Sequence, residues 1–486
     1  MSSVNQQAPT TRRYEQQLAR AIGVLGNICI TVSGITPTAS IFIIAPVAFA
    51  NQGSGTFLAF VIAAVIGLGM AMCYAELGSA FPIVGGQYSI VARVLGKPVG
   101  FLAFVDFLAL AVFIPSSIAL GAGQYVAVLW PAANNANLIG LIIMLITTVI
   151  AILHIRFNAV VTGIFLAIEL LAVGTVTVIG FTHIHQPLSI LIFPQTVGAH
   201  NVLTPISLGV LLAGVSTAIF AYNGYDAPII YSEEMTGPRR GVAKAIFWSL
   251  AITIVAELVP VTAALVGAPS LSALVTSSTP MAYVLTSLGG STINALVSLG
   301  VLLAIFNGNI AIMLTFGRLV YSSGRDKAWP EPISSWLAMT QPRFKSPWVA
   351  TALVGIVGAL LTYFSSVAAL VTFTGVLLII LYGLVALSAL VSRFTQRDLV
   401  RPYKMLLWPL WPLIGLVGCV VVFTQQTLTD MGICAAIFLV AGIYYVVYLR
   451  PRKDTHWVML APAQHDEAEP VIAEPVGGSL DPGIGS

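Results

Sequence analysis

The sequence predicts an all-α integral membrane protein with twelve transmembrane helices. Of its 486 residues 58% are hydrophobic and only 8% are charged, and the basic residues form separate clusters between long apolar runs. A soluble domain has about 25% charged residues. Apolar segments of about twenty residues favour helices, because a helix satisfies its own backbone hydrogen bonds in lipid. Composition and spacing therefore predict the fold class.

Twelve apolar segments set the predicted organisation of the chain. A polar tail covers 1–20, the longest outer loop covers 183–205, and a tail rich in Pro, Gly and acidic residues covers 454–486. We predict that this second tail is disordered. The spans, numbered 1 to 12 in chain order, are 21–50, 55–76, 98–127, 137–156, 159–181, 206–232, 241–267, 289–318, 347–364, 367–392, 404–425 and 429–449.

The basic residues predict how the chain is oriented. If the spans alternate in direction, all 21 Lys and Arg residues fall on one side of the membrane. Positive charge is retained on the cytoplasmic side, so both termini are predicted to be cytoplasmic in a multi-pass protein of the cell membrane. The net charge of +3 does not indicate a nucleic-acid partner, and the sequence specifies no protein partner.

No metal or cofactor is expected, apart from a possible coupling ion. The outer loop contains a His-x-His pair, His183 and His185, with His200 further on. Such a pair can bind metal, but a solvated loop is the favoured interpretation. The cysteines lie in apolar spans without CxxC spacing, which is typical of small buried apolar residues. They are Cys29, Cys73, Cys419 and Cys434.

Two spans are interrupted near their midpoints. Span 1 contains the run Ser-Gly-Ile-Thr-Pro-Thr-Ala-Ser at 33–40, and span 6 contains Ala-Tyr-Asn-Gly-Tyr-Asp at 221–226. The two spans run in opposite directions, so they relate segment 21–182 (spans 1–5) to segment 206–392 (spans 6–10) as an inverted repeat. Broken helices in inverted repeats mark a binding site near the middle of the membrane. Segment 393–453 adds spans 11 and 12.

Four segments carry a resemblance to a known family. They are the span 1 break with Ser40-Ile41-Phe42, the loop from Tyr74 to Tyr88, the segment from Phe220 to Arg240, and the segment from Arg318 to Ala350. Together they resemble the amino acid–polyamine–organocation (APC) superfamily over roughly residues 20–450. The resemblance implies a LeuT-type 5+5 inverted repeat plus two peripheral helices, and secondary transport of amino acids or related amines.

Two features depart from the family pattern. The family's glycine-rich element in span 1 is here Gly-Ile-Thr-Pro-Thr-Ala-Ser at 34–40, which leaves less room for a ligand to approach the backbone. Some proton-coupled members of the family that this chain resembles have a Lys in span 5. In the corresponding region this chain has Glu169 and no Lys. The coupling ion, proton or sodium, is therefore left open.

A broken helix exposes N–H groups at the start of its outer half and C=O groups at the end of its inner half. The N–H end attracts a carboxylate and the C=O end attracts an ammonium group. The expected donors begin at Thr36 and the expected acceptors at Ser33 and Phe220, so a zwitterion fits. The predicted substrate-binding residues are Ser33, Gly34, Ile35, Thr36, Thr38, Ala39, Ser40, Phe220, Ala221, Tyr222, Asn223, Gly224 and Asp226.

Four acids lie within spans, where the sequence offers no salt bridge at their depth. A charged acid in lipid costs at least about 2.5–3.5 kcal/mol, so each must be protonated, hydrogen-bonded or exposed to water or a cation. The coupling candidates are Glu169, Asp226 and Asp106, with a structural hydrogen bond as the alternative for each; Glu257 is the fourth acid. Glu76, at the end of span 2, is predicted to tether loop donors.

Several polar residues complete the candidate pocket or its gate. Aromatic and amide side chains of spans 6 and 8 either face the substrate or join helices: Tyr222, Asn223, Tyr225, Asn307 and Asn309. Basic residues at the inner ends of spans are expected to close an inner gate on nearby acids. The pairs considered join Arg239, Arg240 or Arg325 to Glu233, Glu234 or Asp326.

The predicted function is secondary active transport of amino acids by alternating access, coupled to protons or working by exchange. An amine or polyamine permease of the same fold is the alternative. An ion channel or a membrane-embedded enzyme is disfavoured, because the sequence has no P-loop, HExxH motif or filter-like repeat. No catalytic residue is expected. The predicted partners are a small-molecule substrate, an amino acid or amine, and the lipid bilayer.

Overall fold

The structure is a computed structural model that describes residues 13–14, 23–81, 86–153, 159–198, 202–232, 235, 237–342, 346–457 and 461–462. In these residues, eight helical segments are long and apolar enough to cross a membrane. Three shorter apolar helices accompany them, Ala136–Ile152, Trp348–Phe364 and Leu410–Phe423. The chain is thus a mostly helical, multi-pass membrane protein, as its composition predicted.

The described residues of the first half of the chain contain nine α-helices. A π-helical segment at Ser40–Ile44 lies between the second and third of them, and 3₁₀ segments lie at Gly53–Gly55 and Leu188–Leu191. The α-helices are α1 Val24–Ile35, α2 Pro37–Ala39, α3 Ala45–Gln52, α4 Thr56–Ala80, α5 Gly86–Leu95, α6 Lys97–Leu129, α7 Ala136–Ile152, α8 Ala159–Thr182 and α9 Leu208–Tyr222.

Eight more α-helices lie in the part of the second half that the structure describes. A 3₁₀ turn at Ala227–Ile229 follows α9, and a π-helical segment at Tyr445–Leu449 and a 3₁₀ turn at Arg450–Arg452 follow the last helix. The helices are α10 Pro238–Gly267, α11 Leu271–Thr276, α12 Pro280–Arg325, α13 Glu331–Leu337, α14 Trp348–Phe364, α15 Val367–Thr395, α16 Leu410–Phe423 and α17 Leu428–Tyr444.

Local sequence explains where several helices begin and bend. The side chains of Asn135, Ser207 and Ser366 each accept a hydrogen bond from the backbone N–H three residues ahead, which satisfies a donor that the first helical turn leaves free. Proline occupies the first turn of α6, α10 and α12, where its missing N–H costs nothing. Gly290 (φ 85°) bends α12 near its start.

Among the residues with a described structure, four short strands form two pairs. β1 (Arg13–Tyr14) pairs in parallel with β4 (Ala461–Pro462). β2 (Gln195–Val197) pairs antiparallel with β3 (Leu203–Pro205) within the predicted outer loop. That loop is joined to the 3₁₀ segment after α3 by a hydrogen bond of 2.9 Å from the Gln195 N–H to Ser54 Oγ.

The core lies where the longest helices meet. α6 packs against α7, α12 and α15, and α4 packs against α9, α10 and α16. Exposed apolar side chains lie on the outward faces of the helices, among them Phe364 of α14 and Leu439 and Val440 of α17. Such faces suit contact with lipid, so the fold buries its polar side chains inside the bundle and presents apolar ones outside.

Two details differ from the sequence-based expectation. Cys29 is exposed, although Cys73, Cys419 and Cys434 are buried as predicted. Trp457 lies inside the segment predicted to be disordered, yet it is 2% exposed and its ring packs against Phe101 and Phe104. An indole ring can bury a large apolar area. The prediction of disorder used the average composition of the tail, so it did not reveal that this one residue packs against the helices. Most of that tail lies outside the described residues.

Candidate functional site

The interruption predicted in span 1 is confirmed at Thr36. α1 ends at Ile35, and Thr36 has the left-handed backbone angles φ 53° and ψ 74°. Its hydroxyl donates to Ile35 O at 2.7 Å, and its own carbonyl accepts from the N–H groups of Ala39 and Ser40. A threonine with positive φ is uncommon. Pro37 has no N–H and begins the next helical segment, so the helix stops and restarts at this position.

The interruption predicted in span 6 is confirmed at Asn223 and Gly224. α9 ends at Tyr222, Asn223 is extended, and Gly224 has φ 115°. A Cβ atom on Gly224 would lie 2.9 Å from Ile35 Cγ1. Both the backbone angle and this close approach require glycine. After the break the chain forms only a turn and the 3₁₀ segment at Ala227–Ile229, whereas the second half of the interrupted span was predicted to reach residue 232.

Three contacts hold the interrupted segments in place. Ser40 Oγ donates to Ala221 O at 2.9 Å and thereby joins the two breaks directly. Gly308 of α12 lies against Thr36, where a Cβ atom would collide with the threonine methyl group. Tyr382 OH of α15 lies 3.4 Å from Asn223 Oδ1. The two unwound segments are therefore supported by fixed helices on either side.

A cavity of about 490 Å³ lies between the breaks and the helices around them. Its size falls in the range of about 300–1,000 Å³ that is typical of small-molecule sites. Polar groups surround the breaks, and one face of α6 forms an apolar wall. The wall residues are Phe107, Leu110, Ile114 and Ile118, and the polar lining includes Ser33, Thr36, Ser40, Gln87, Asn223, Asp226, Asn307, Thr315 and Arg318.

Ten of the thirteen predicted substrate-binding residues line this cavity. The other three do not: Thr38, Ala221 and Tyr222 are buried behind its wall. The lining members of the predicted set are Ser33, Gly34, Ile35, Thr36, Ala39, Ser40, Phe220, Asn223, Gly224 and Asp226.

Some of the backbone groups expected to bind a ligand are already hydrogen-bonded. The N–H groups of Ala39 and Ser40 donate to Thr36 O, and Phe220 O accepts from Asn223 N at 3.1 Å. Ala221 O accepts from Ser40. In this conformation, some backbone N–H and C=O groups at the breaks are therefore hydrogen-bonded within the protein. The sequence-based assignment of groups to a ligand did not anticipate these bonds.

The four acids within spans occupy different surroundings. Asp226 lines the cavity and accepts a hydrogen bond of 2.5 Å from Gln87 Nε2. Asp106 lies near Cys434 of α17, and Glu169 is fully buried in α8; neither belongs to the described lining of the cavity. Glu257 of α10 lies beside Ser40. Among the coupling candidates only Asp226 thus lines the cavity.

Comparison with known proteins decides what kind of site this is. The sequence profile of the amino acid permease family matches residues 22–449, which include both breaks and the whole cavity. The chain belongs to the amino acid permease family. It is a transporter of the cell membrane and not an enzyme, and its ligand is a small molecule.

Three relatives illustrate the range of this permease family. The chain is 23% identical to the branched-chain amino acid permease of Bacillus subtilis over 80% of this chain and 84% of that protein. It is 26% identical to the human large neutral amino acids transporter small subunit 2 over 81% of this chain and 74% of that protein. It is also 24% identical to the methylthioribose transporter of Bacillus subtilis, over 86% and 92%.

The sequence did not single out several residues that line the cavity of this permease. The apolar wall recurs at intervals of three and four residues along α6, but that helix is apolar all round, so periodicity could not select one face. Gln87 stands in a motif quoted for the resemblance, but its partner Asp226 is 139 residues away. Arg318 appeared as an orientation signal and as the first residue of a segment quoted for the resemblance, but not as a residue of the site.

Other predicted residues of the permease have structural contacts. Asn307 lines the cavity, whereas Asn309 Nδ2 donates to Thr147 Oγ1 at 3.0 Å and so joins α12 to α7. Tyr225 packs edge-on against Tyr74 and Tyr382 behind the break. Both of these residues therefore hold helices together.

The expected inner gate falls partly outside the described residues. Glu233 and Glu234 are outside them, as are the side chains of Arg239 and Arg240. Arg325 Nε lies 2.9 Å from Asp326 Oδ1, a contact between neighbours in sequence at the end of α12. Burial raises the pKa of Asp326, and the Arg325 guanidinium acts in the opposite direction.

The histidines expected in the outer loop do not form a metal site in the part of the chain that is described. The ring Nδ1 of His185 lies 2.8 Å from His183 O and 3.1 Å from Gly267 O, so it contacts backbone carbonyls. No group of three His, Cys, Asp or Glu side chains with metal-binding geometry occurs among the described residues. His200 lies outside them.

Proposed function

We propose that this permease carries neutral amino acids with bulky apolar side chains, by secondary transport and alternating access. The observation that carries the proposal is the composition of one cavity: polar groups and two helix breaks stand opposite an apolar wall. This pairing matches a zwitterion attached to a hydrocarbon. The thirteen predicted substrate-binding residues, of which ten line the cavity, remain our candidates for recognition.

The charged ends of an amino acid suit the polar part of the cavity. Thr36 has no hydrogen bond from its N–H in the described contacts, and it begins the outer half of span 1, where helix polarity favours a carboxylate. Asp226 provides a carboxylate near the other break, which suits an ammonium group. The cavity thus offers one group that favours a carboxylate and one that favours an ammonium group, as the binding of a zwitterion requires.

The apolar wall accounts for the side chain. Phe107, Leu110, Ile114 and Ile118 of α6 form a continuous hydrocarbon surface, extended by Leu378 of α15. Burying an apolar side chain such as that of leucine contributes about 1.5–3 kcal/mol. Two of the three relatives described above carry branched-chain or large neutral amino acids by name, which agrees with this surface.

The amine alternative receives less support. A diamine needs two anionic partners, but Asp226 is the only acid within spans that lines the described cavity. That carboxylate already accepts from Gln87, and the Arg318 guanidinium lines the same cavity and repels a second ammonium group. A substrate like methylthioribose has no carboxylate or ammonium group. It would therefore leave the N–H end at Thr36 and the Asp226 carboxylate without charged partners.

The transport cycle rests on the expected topology. We propose twelve crossings, built as an inverted repeat of spans 1–5 and 6–10 with two peripheral helices, and with both termini cytoplasmic. The helical stretch Val24–Ala80, 57 residues long, supports two crossings joined at Gly53. Breaks in spans 1 and 6, which run in opposite directions, support the repeat.

The cavity then opens toward the cytoplasm. Its lining continues from the breaks to Ile30, Tyr231 and the exposed Arg318, at the basic end of the bundle. On the other side of the breaks Ile41 and Phe42 are at most 1% exposed. Alternating access requires the opposite arrangement in a second state, reached by movement of the interrupted helices against their supports. Coupling is by proton or by exchange.

A binding screen tests the substrate class. Purified permease is heated with leucine, isoleucine, phenylalanine, alanine, lysine, a diamine or methylthioribose, and its unfolding temperature is measured. We expect stabilisation by the large neutral amino acids, since ligand bound to the folded state shifts unfolding by mass action. Counterflow of labelled leucine in proteoliposomes then separates transport from binding. Stabilisation by the diamine alone would instead establish the amine alternative.

The apolar wall predicts a change in selectivity. Replacing Leu110, a buried residue of the wall, by Trp fills the space for a large side chain. We expect the affinity for leucine and phenylalanine to fall at least about tenfold and that for alanine to fall much less, as overpacking costs typically 1–3 kcal/mol. The matched control is Leu360→Trp, at a residue of α14 that is 52% exposed. Equal losses for all three amino acids in Leu110→Trp would contradict the assigned wall.

A further inference from the structure

One buried acid adjoins both interrupted helices. Glu257 of α10 is 0% exposed, the Ser40 hydroxyl lies beside its carboxyl, and Tyr222 at the end of α9 interacts with it electrostatically. α10 packs against α2 and against the π-helical segment that begins at Ser40. Of the acids within spans, Glu257 is thus positioned between the ends of the two breaks, just behind the cavity wall.

The polar atoms around Glu257 are incompletely satisfied. Among the described residues, neither carboxyl oxygen has a hydrogen-bond partner, and the Tyr222 hydroxyl has none. Ser40 is near enough to bond to the carboxyl, but in this conformation it donates to Ala221 O instead. A buried acceptor left unpaired beside a hydroxyl marks a place where the hydrogen-bond pattern can change.

We propose that Glu257 binds the proton that is coupled to transport, and that its protonation determines whether Ser40 joins the two interrupted helices. This proposal rests on the proposed transport function. It assigns the coupling step to a residue outside the set of Glu169, Asp226 and Asp106 favoured by the sequence. It is carried by the shared position of Glu257, Ser40 and Ala221 at the junction of the breaks.

In the proposed mechanism, the Ala221 carbonyl and the Glu257 carboxyl group compete for the hydrogen bond that the Ser40 hydroxyl donates. A bare carboxylate in the bundle interior is costly without a partner, so the observed pattern belongs to the protonated acid. When the proton leaves, the carboxylate becomes the stronger acceptor, because hydrogen bonds to an ionised group are roughly twice as strong as neutral ones. Ser40 then turns from Ala221 O to Glu257, and the direct bond between the breaks is lost. Ser40 lines the cavity, so the proton has a short route to cavity water.

The surroundings of Glu257 contain few groups that could oppose this role. In the described structure, the titratable side chain that interacts with it electrostatically is Tyr222, which is neutral when protonated. The elements packed against α10 are α1, α2, α4, α8, α9, α12 and the short helical segments at 40–44, 188–191 and 227–229. Their titratable residues are Cys29, Cys73, Tyr74, Glu76, Glu169, Tyr222, Tyr283, Arg318, Tyr321 and Arg325, and α10 itself carries Lys244 near its start. No described cation forms an ion pair with Glu257, so a proton is the charge that neutralises it.

The test is the response of leucine uptake to a pH gradient in proteoliposomes that contain the full chain. With the unsubstituted permease, an inward acid gradient is expected to raise accumulation by up to about tenfold per pH unit for one coupled proton. Glu257→Gln imitates the protonated acid, so we expect it to bind leucine and to support counterflow without responding to the gradient. A Gln variant that accumulates leucine with the same gradient response as the unsubstituted permease overturns the proposal.

Two further variants keep the result interpretable. Asp106→Asn removes an equally buried acid that lies near α17 and away from the breaks, and it should retain the gradient response. Ser40→Ala leaves the carboxyl but removes the hydroxyl, and it should lose the response even if the Gln variant is poorly produced. Retention of the response in Ser40→Ala overturns the switch, and accumulation driven by sodium at constant pH overturns the assignment to a proton. If the unsubstituted permease binds no amino acid, the proposed function fails instead.

Discussion

Gly224→Ala is expected to reduce leucine transport by about tenfold to a hundredfold while most of the protein still folds. Gly224 has φ 115°, a backbone angle that residues with a Cβ atom rarely adopt, and such strain costs on the order of 1–3 kcal/mol. The new methyl group would also lie 2.9 Å from Ile35 Cγ1. Both effects displace the end of one interrupted helix relative to the other, and the transported molecule is expected to bind between them.

The measurement is the initial rate of labelled leucine uptake, together with the unfolding temperature of the unliganded protein. Gly34→Ala is the matched control, because Gly34 lines the same cavity, has no positive φ, and offers a Cβ atom no contact within 4 Å. We expect Gly34→Ala to keep most of the activity. If both variants transport leucine at the same rate, the geometry of the second break is unimportant for binding.

A double variant separates the two causes of this loss. Ile35→Ala removes the Cγ1 atom that a methyl group at position 224 would approach, but it leaves the unfavourable backbone angle unchanged. Ile35→Ala combined with Gly224→Ala should therefore recover only part of the activity, relative to Ile35→Ala alone. Full recovery would mean that the collision, and not the backbone angle, is what requires glycine.

The positions of the two breaks were predictable because their causes are local. Proline at 37 lacks an N–H, and glycine at 224 permits a positive φ; both are visible in the sequence. These features need no knowledge of which helices become neighbours, so a cavity between the two broken spans could be anticipated.

The direction in which each buried acid points was not predictable. Asp106 and Phe107 are adjacent in α6, yet Phe107 lines the cavity and Asp106 lies near α17. A helix that is apolar on every side gives no signal of its rotation, because the usual contrast between polar and apolar faces is absent. The surroundings of Glu257 depend on α10 packing against two broken helices, which is a tertiary contact. The position of each break along its helix was therefore accessible from sequence, and the orientation of side chains around the helix axis was not.

Glu76 is an intermediate case. Its position at the end of span 2 indicated a structural tether to loop donors, and the structure bears this out: Met405 N donates to Oε2 at 2.8 Å. The stronger partners are arginines more than 300 residues away. Arg393 donates to Oε1 and Oε2 at 2.7 and 2.6 Å, a separation of 317 residues in sequence, and Arg401 Nε lies 3.2 Å from Oε1. The sequence thus identified the role but not the main partners.

Glu76→Gln is expected to lower the stability of the permease by about 3–5 kcal/mol, the usual cost of breaking a buried ion pair. The Glu76 side chain is 0% exposed and that of Arg401 is 5% exposed, so the substitution leaves a buried guanidinium without its counter-charge. Glutamine keeps the shape of the side chain, which isolates the effect of the charge. These contacts join α4 to the end of α15 and to the loop before α16, so we expect the loss to appear as an unfolding temperature lower by at least about 5 °C.

The matched control is Glu331→Gln, which breaks the pair between Lys327 Nζ and Glu331 Oε2 at 3.6 Å. Both of those side chains are about half exposed, and solvent-exposed pairs contribute only about 0–1 kcal/mol. The unfolding temperature of this variant should therefore stay close to that of the unsubstituted protein. Because none of the Glu76 contacts lines the described cavity, folded Glu76→Gln protein should bind leucine with nearly unchanged affinity. A variant of normal stability and impaired binding would instead assign Glu76 to the transport cycle, since its charge would then act on the moving parts and not on the fold.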